Sequence, residues 1–335
     1  MIYGLAADAA NFPQPYRFRH LGLALLAVLL LLVSGQRIGI DRAISMTAGA
    51  VLATLGVGPP SPVADALARG REQLWPLQLE TREDVARLPP TDVGALPPLS
   101  YLETGTQREA MLDPTTSQPI FRIVRTTWLV EPFGYLGHVA LKMLETLEIA
   151  LWGTLVAMLL GLPLALLSAR NTMPARAVRL AARGIVAVLR AIPELMSALF
   201  LVMAFGFGPI PGLLALGLHA AGFLGKFYAD DMEASDPAPQ KALIVIGTSR
   251  LAVWRVAILP QVMPQFIAYT LYILDRNVRM ATVIGLVGAG GIGQELRGRF
   301  DMYQFGHVGT ILVATLLVVV VIDLVANRLR SFAGL

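Results

Sequence analysis

An all-α integral membrane fold with six spans is predicted by three observations: an apolar composition, six runs of membrane length, and Arg gathered into a few of the loops between them. The chain of 335 residues is 55% hydrophobic and 15% charged, with mean hydropathy +0.63, whereas soluble domains carry about 25% charged residues. Lys142, Lys226 and Lys241 are the only lysines, so the formal net charge of +4 rests on Arg. No basic run is interleaved with aromatics, which argues against nucleic acid and for lipid headgroups as the partner of that charge. Cysteine is absent, removing disulfides, thiolate metal sites and a Cys nucleophile; no metal site is expected.

A hydrocarbon core of about 30 Å takes about 20 residues of helix. Residues 18–38, 149–169, 184–207, 212–228, 258–274 and 305–326 meet that length. The first run also reads as a signal peptide, with Arg17 and Arg19 as its basic flank, although Ser34-Gly35-Gln36-Arg37-Ile38 is a poor cleavage site. Short loops rich in Arg stay in the cytoplasm. Arg170, Arg176, Arg179 and Arg183 follow the second run, Lys241, Arg250 and Arg255 lie between the fourth and fifth, and Arg328 and Arg330 end the sixth. Both termini are therefore expected on the cytoplasmic side. The organisation expected is a cytoplasmic N-terminus and anchor over residues 1–38, a periplasmic insert over 39–135 and a core over 136–335.

The insert opens with an apolar, Gly-punctuated stretch, 44–57, too short to span and expected as an interfacial helix. Beyond it the chain turns polar and is broken at Pro59-Pro60, Pro89-Pro90 and Pro97-Pro98. Residues 120–130 mix β-branched and aromatic side chains and are expected as a strand. The insert reads equally as a solvated spacer or as a docking surface for a soluble binding protein.

The stretch from Lys241 to Pro260 sits between two runs, with Gly247 at its centre and Leu259-Pro260 at its end. It resembles the EAA loop of ABC-importer permeases: Ala242, Gly247, Leu259 and Pro260 keep the register, while Lys241 stands where that family has Glu. Further stretches, Arg190-Ala-Ile-Pro193-Glu194, Leu218-His219-Ala-Ala-Gly222-Phe-Leu-Gly225-Lys226 and Asn277-Val-Arg279 through Gly293-Gln-Glu295, look like the membrane subunit of phosphonate importers. This subunit is PhnE-like, of the binding-protein-dependent, MetI-like permease superfamily. The resemblance covers roughly residues 136–330.

That resemblance implies a permease that supplies the pathway for a phosphonate or related phosphorus oxyanion and is not itself an enzyme. It further implies a homodimer, two copies of a separate ATPase that bind ATP and Mg, and a periplasmic phosphonate-binding protein. The loop over 229–260, with Lys241, Ala242, Gly247, Arg250, Leu259 and Pro260, would be gripped by the ATPase. A methionine-type permease is the near alternative. A secondary transporter is disfavoured by the lack of a second copy of the Pro260 or Gly288 pattern, and an intramembrane hydrolase by the lack of a base beside a nucleophile.

Two nucleotide-like motifs are set aside. Gly288-Ala-Gly290-Gly291-Ile-Gly293 matches the dinucleotide fingerprint but precedes a membrane run rather than completing a βαβ unit. Its glycines are expected to allow tight turns in a loop lining a pathway. Gly225-Lys226 has Ala220 and Phe227 where a P-loop needs Gly and Ser or Thr, so no cofactor is expected in this chain.

Ionisable groups in or beside spans are functional candidates because lipid penalises them. Arg190 and Glu194 are spaced as an i,i+4 couple on one helix face. His219 is expected near the middle of the fourth span, as a pathway group or an interhelix hydrogen bond. Glu145 and Glu148 are expected to start the second span. Asp275, Arg276 and Arg279 are expected beyond the fifth, at the outer mouth. There the Arg pair suits an oxyanion, or else anchors to headgroups with an Asp275–Arg279 pair.

Overall fold

The computed structural model describes residues 18–57, 59–87, 96–112 and 119–332; Arg17 and Pro89-Pro90 lie outside them. It divides into two compact units, Met1–Gln73 and Leu74–Leu335, so the division falls inside the 39–135 segment. In the first unit, α1 (Phe18–Ile38) and α2 (Ile40–Thr54) meet at a 68° bend. Gly39 makes that corner with φ of 79°, a left-handed conformation that glycine adopts at little cost. Helix α3 (Pro62–Leu74) ends at the division.

The second unit begins with an antiparallel sheet, which corrects the all-helical expectation. Strands β1 (Thr81–Asp84), β2 (Tyr101–Leu112) and β3 (Pro119–Glu131) are ordered β1-β3-β2; β3 includes the 120–130 stretch. The rest is helical: α4 (Gly134–Ser168), α5 (Arg176–Ala191), α6 (Glu194–Phe205), α7 (Pro209–Ala234), α8 (Pro237–Val245), α9 (Arg250–Val253), a π-helical turn at Trp254–Ile258, α10 (Leu259–Gly285), α11 (Gly291–Asp301) and α12 (Phe305–Phe332).

Among the described residues, four helical stretches are long and apolar enough to cross a membrane: Gly134–Ser168, Pro209–Ala234, Arg250–Gly285 and Phe305–Arg328. The number reaches six if each bent pair counts as one span, the pairs being Gly22–Ile38 with Ile40–Thr54 and Arg176–Ala191 with Glu194–Phe205. The expected third span, 184–207, is thus not one helix but is broken by 88°. The cause is local: Pro193 has no N–H to continue the ladder and disfavours the helical conformation at Ile192. Ile192 is accordingly extended, with ψ of 119°. The Arg-rich stretch read as a loop is mostly helix, since α5 starts at Arg176.

Helices α4 and α7 form the centre, parallel and in backbone-close contact. A Cβ on Gly153 would stand 3.0 Å from Leu216 Cβ, and one on Gly161 would stand 3.0 Å from Leu224 Cβ and 3.3 Å from Gly225 N. The seam is lined by Ala150, Ala157, Ala165, Ala220 and Ala221, all fully buried. Small residues matter here because lipid supplies no hydrophobic push between helices, so close van der Waals approach has to hold them. Further glycines on α7 admit α5: a Cβ on Gly222 would lie 2.9 Å from Arg190 N. Outward faces are apolar, with Leu159, Phe200 and Leu316 exposed.

The glycine segment after α10 is shaped by backbone rather than nucleotide chemistry. Gly288, Gly290 and Gly291 have φ of 93°, 84° and 69°. Gly285 and Gly293 let α10 and α11 touch: a Cβ on Gly285 would stand 2.8 Å from Gly293 Cα, and one on Gly293 would strike the Thr282 carbonyl. Gly293→Ala is therefore expected to destabilise the purified chain by about 1–3 kcal/mol through overpacking. Gly298→Ala on the same helix, with nothing within 4 Å of its Cβ, should be neutral or gain up to about 1 kcal/mol. Thermal unfolding of both variants checks this; equal shifts would refute it.

Candidate functional site

At the break between α5 and α6 the chain gathers its buried charges. Glu194 opens α6 and is 8% exposed; His219, in the middle of α7, is 7% exposed. Arg276 reaches them from α10, its Nη2 2.7 Å from Glu194 Oε1 and 3.3 Å from His219 Nε2. His219 Nε2 also stands 3.1 Å from Glu194 Oε2.

The other ring nitrogen fixes the tautomer. His219 Nδ1 is 2.9 Å from the Ile192 carbonyl, which only accepts, so Nδ1 carries a hydrogen and donates it. That carbonyl is freed by the Pro193 break. A neutral ring then presents the Nε2 lone pair to Arg276, whereas an imidazolium presents Nε2–H to Glu194. Glu194, His219 and Arg276 are thus each within reach of the other two.

Phe223, one turn along α7 from His219, carries the charges over an apolar face. The guanidinium carbons of Arg276 and Arg190 lie 5.3 and 5.8 Å from its ring centre, within cation–π range. The aromatic contacts continue through Phe227 to Tyr269, whose hydroxyl lies 3.4 Å from Asp231 Oδ1.

This arrangement corrects three placements. Arg190 and Glu194 do not form an i,i+4 couple, because the 88° break separates their helices and Glu194 is held by Arg276 and His219. Asp275, Arg276 and Arg279 do not follow a span; they lie within α10, which runs on to Gly285. Glu145 and Glu148 do not start a helix, since α4 begins at Gly134. Glu145 instead accepts from Gly291 N at 3.0 Å, beside Thr146 Oγ1, which accepts from Ile292 N at 2.8 Å. The two side chains cap α11 and pin the glycine segment against α4.

Sequence reasoning missed Asn277, 1% exposed, whose Nδ2 donates to Thr154 Oγ1 at 3.0 Å. It joins α10 to α4. A second polar cavity of about 770 Å³ lies between the sheet and the starts of α4 and α12, with Arg82, Tyr135, His138, Arg299 and His307 among its lining residues. Near it Glu295, on α11, is pulled two ways. Burial alone would raise its carboxyl pKa, but hydrogen bonds and charge from Arg299 and His138 hold it below the ordinary range.

The 241–260 segment forms two short helices and a π-turn. Asp236 caps α8 by accepting from Ala238 N at 2.9 Å, and Ser249 caps α9 by accepting from Ala252 N at 3.3 Å. Gly247, with φ of 82°, ends α8 with paired bonds, Gly247 N to Ile244 O at 3.0 Å and Thr248 N to Leu243 O at 3.2 Å, a Schellman ending. Lys241, Ala242, Arg250 and Pro260 are exposed and Leu259 is half-buried. Ile244, Val245, Ile246 and Leu251 are 61–85% exposed beside them.

The Asp275–Arg279 pair is made, bidentately, at 2.9 and 2.7 Å. Asp275 is 7% exposed, so removing its partner leaves a buried carboxylate, a loss of about 3–5 kcal/mol in a fully buried pair and less here because Arg279 is 46% exposed. Arg279→Ala is expected to lower thermal stability clearly, and Asp275→Asn combined with Arg279→Ala to recover most of it. A double variant no more stable than Arg279→Ala would show that the pair is not what matters.

Comparison with known proteins agrees with this architecture. The family described as "Binding-protein-dependent transport system inner membrane component" matches residues 161–332. The "Putative phosphite transport system permease protein HtxE" of Stutzerimonas stutzeri is 48% identical over 258 residues, 77% of this chain and 99% of that protein. The "Phosphate-import permease protein PhnE" of Mycolicibacterium smegmatis is 42% identical over 181 residues, 53% of this chain and 34% of its own. Among solved structures, the inward-facing methionine ABC transporter MetNI aligns with TM-score 0.52 at 21% identity, covering 58% of this chain and 95% of that one; this likeness shows the fold, a MetI-like permease. The chain is a transport component and not an enzyme, and it belongs to the family of binding-protein-dependent transport system inner membrane components.

Proposed function

We propose that this chain forms the translocation pathway of an ATP-driven importer for a phosphorus oxyanion, with Glu194, His219 and Arg276 as its charge-selective station. The carrying observation is the Arg276 guanidinium of the membrane-length helix α10, held at 2.7 Å by Glu194 at the start of α6. A phosphonate, phosphite or phosphate offers a guanidinium the same paired oxygens that a carboxylate does. Glu194 thus acts as an internal stand-in for the cargo, keeping the empty pathway neutral, and an arriving oxyanion displaces it from Arg276. The released carboxylate retains His219 Nε2 as a partner. The relatives named for phosphite and phosphate import support this cargo class.

In this reading the 229–260 segment faces the cytoplasm, both termini lie on that side, and residues of the 39–135 segment meet a periplasmic binding protein. Separate ATPase subunits, holding ATP and Mg, grip the exposed Ile244, Val245, Ile246 and Leu251 surface, with Lys241 and Arg250 pairing to carboxylates. The glycines Gly288, Gly290, Gly291 and Gly293 set the loop that closes the pathway's outer end. A second permease chain completes the pathway. It is a copy of this one or a related chain, since HtxE and HtxC of Stutzerimonas stutzeri, two different permeases, match at 48% and 42% identity.

Reconstituted uptake at limiting substrate tests the station. Arg276→Gln should reduce uptake about tenfold or more, consistent with roughly 1.5–3 kcal/mol for a hydrogen bond to a charged group. Glu194→Gln should lower the apparent KM, because the cargo no longer competes with a carboxylate. The double variant should assemble normally yet transport poorly. Equal losses in both single variants would mean that the cluster is only structural.

For the coupling segment, nothing lies within 4 Å of a Cβ at Gly247, so a substitution acts through its φ alone. Gly247→Val should cost roughly 1–2 kcal/mol locally and leave a membrane-inserted chain that co-purifies less ATPase or hydrolyses ATP without uptake. Gly247→Asn, which tolerates the left-handed region, should stay coupled. If the valine variant matches wild type in ATPase co-purification, stimulated hydrolysis and uptake, the segment is only a surface helix.

A further inference from the structure

A smaller cavity lies beside the station, between the end of α4, α5 and the second half of α7. It measures about 190 Å³ and is lined by Ser168, Arg183, Arg190, Lys226 and Asp230 among others. Two of its cations are already satisfied. Arg183 is paired with Glu233 at 2.5 Å and donates to the Ser168 carbonyl at 3.0 Å, while Lys226 is paired with Asp230 at 2.7 Å.

Arg190 is different. Among the described residues it has no carboxylate partner, because the one expected for it, Glu194, is held by Arg276 and His219. Its Nε is buried and makes no hydrogen bond. Ser168, 2% exposed, likewise has a buried hydroxyl without a partner. Two of the residues that line this cavity therefore each carry a buried donor without a partner, and one of them carries a positive charge that no carboxylate among the described residues meets, in a helix bundle where both are costly.

We propose that this cavity is a binding site for a phosphate-type oxyanion, distinct from the Glu194–His219–Arg276 station. Such a group supplies acceptors for the Ser168 hydroxyl and Arg190 Nε–H, balances the Arg190 charge, and leaves the Arg183 and Lys226 pairs undisturbed. Water alone would satisfy the donors but not the charge. The same chemistry is offered by a free phosphorus oxyanion or by the phosphate of a phospholipid headgroup. Glu233, which holds Arg183, also accepts from Arg170 N at 2.7 Å, and Asn171 donates to the Met232 carbonyl. The site thus abuts the segment where α7 turns into α8.

The assignment stands independently of the pathway reading, and the full chain purified in a phosphate-free maltoside detergent tests it in two measurements. Equilibrium dialysis with radiolabelled orthophosphate gives the affinity for a free anion; mass spectrometry of retained phospholipid gives headgroup occupancy. Arg190→Gln should raise the orthophosphate dissociation constant at least tenfold and Ser168→Ala severalfold. Arg190→Lys, which keeps charge but loses the planar fork, should fall between wild type and Arg190→Gln, and the same order should hold in an Arg276→Gln background, which removes the station's own binding of orthophosphate. If orthophosphate does not bind but retained phospholipid drops in Arg190→Gln, the site is upheld with a headgroup as its occupant. If neither quantity differs between wild type, Arg190→Gln and Ser168→Ala, the cavity holds only water and the proposal is overturned.

Discussion

The parallel contact of α4 with α7 is the constraint on which the remaining architecture depends. Backbone approach at Gly153 with Leu216 and at Gly161 with Leu224 and Gly225 replaces the hydrophobic push that lipid does not provide. Because the two helices run the same way, the chain between them must return across the bundle within residues 169–208. It does so as two helices at 88°, and α7 keeps glycines at 222 and 225 where the first of them leans in, next to Arg190 and Val186. Helices α10 and α11 then attach to α4 by polar ties, Asn277 to Thr154 and the α11 N–H groups to Glu145 and Thr146. These ties work because no water competes for the donors.

The break creates the chemistry. A continuous helix through Ile192 would have used that carbonyl internally and placed Arg190 beside Glu194. Pro193 forbids it, freeing the Ile192 carbonyl for His219 Nδ1 and turning Glu194 towards α10. Burying an Arg–Glu–His group is a poor way to gain stability, since desolvation offsets most of the attraction. Such a cluster is better explained by what it selects than by what it stabilises. The same turn leaves Arg190, also within reach of the Phe223 ring, without a carboxylate partner among the described residues.

Much of this was legible from local pattern, and what was not depends on distant partners. Apolar runs located α1, α4, α7, α10 and α12, and β-branched residues located β3, because each signal is local. The extent of α10 was misjudged because Asp275, Arg276 and Arg279 stop an apolar run. In the fold their charges are met by Glu194, 82 residues away, and by each other. The Arg-rich first half of α5 read as loop and its second half as the start of a span, yet Ala182 and Val186, four apart and buried, already carried one helical stripe across both. The capping of α11 by Glu145 and Thr146 spans 146 residues and leaves no mark in either segment alone. Gly247 marks the centre of its stretch in the sequence as a residue that permits a sharp turn at little cost, but the Schellman bonds that end α8 there leave no separate mark in the pattern.

Unbroken helix joins the end of the Gly247 turn to the charge cluster. From Arg250 to Gly285 the chain is helical throughout, with the widened turn at Trp254–Ile258 just before Pro260, which cannot donate to the carbonyl four residues back. At about 1.5 Å of rise per residue, the stretch from Leu259 to Arg276 makes a rod of roughly 25 Å. Glu194 opens α6, which packs mainly on α7 and only lightly on that rod. On the proposed reading, a partner displacing the Gly247 segment would move Arg276 relative to Glu194 by a comparable amount. A shift of about an ångström is enough to exchange a 2.7 Å ion pair for a contact outside hydrogen-bond range. The cluster would then hold its cargo tightly in one position of the rod and release it in the other, so selectivity and coupling would reside in the same guanidinium.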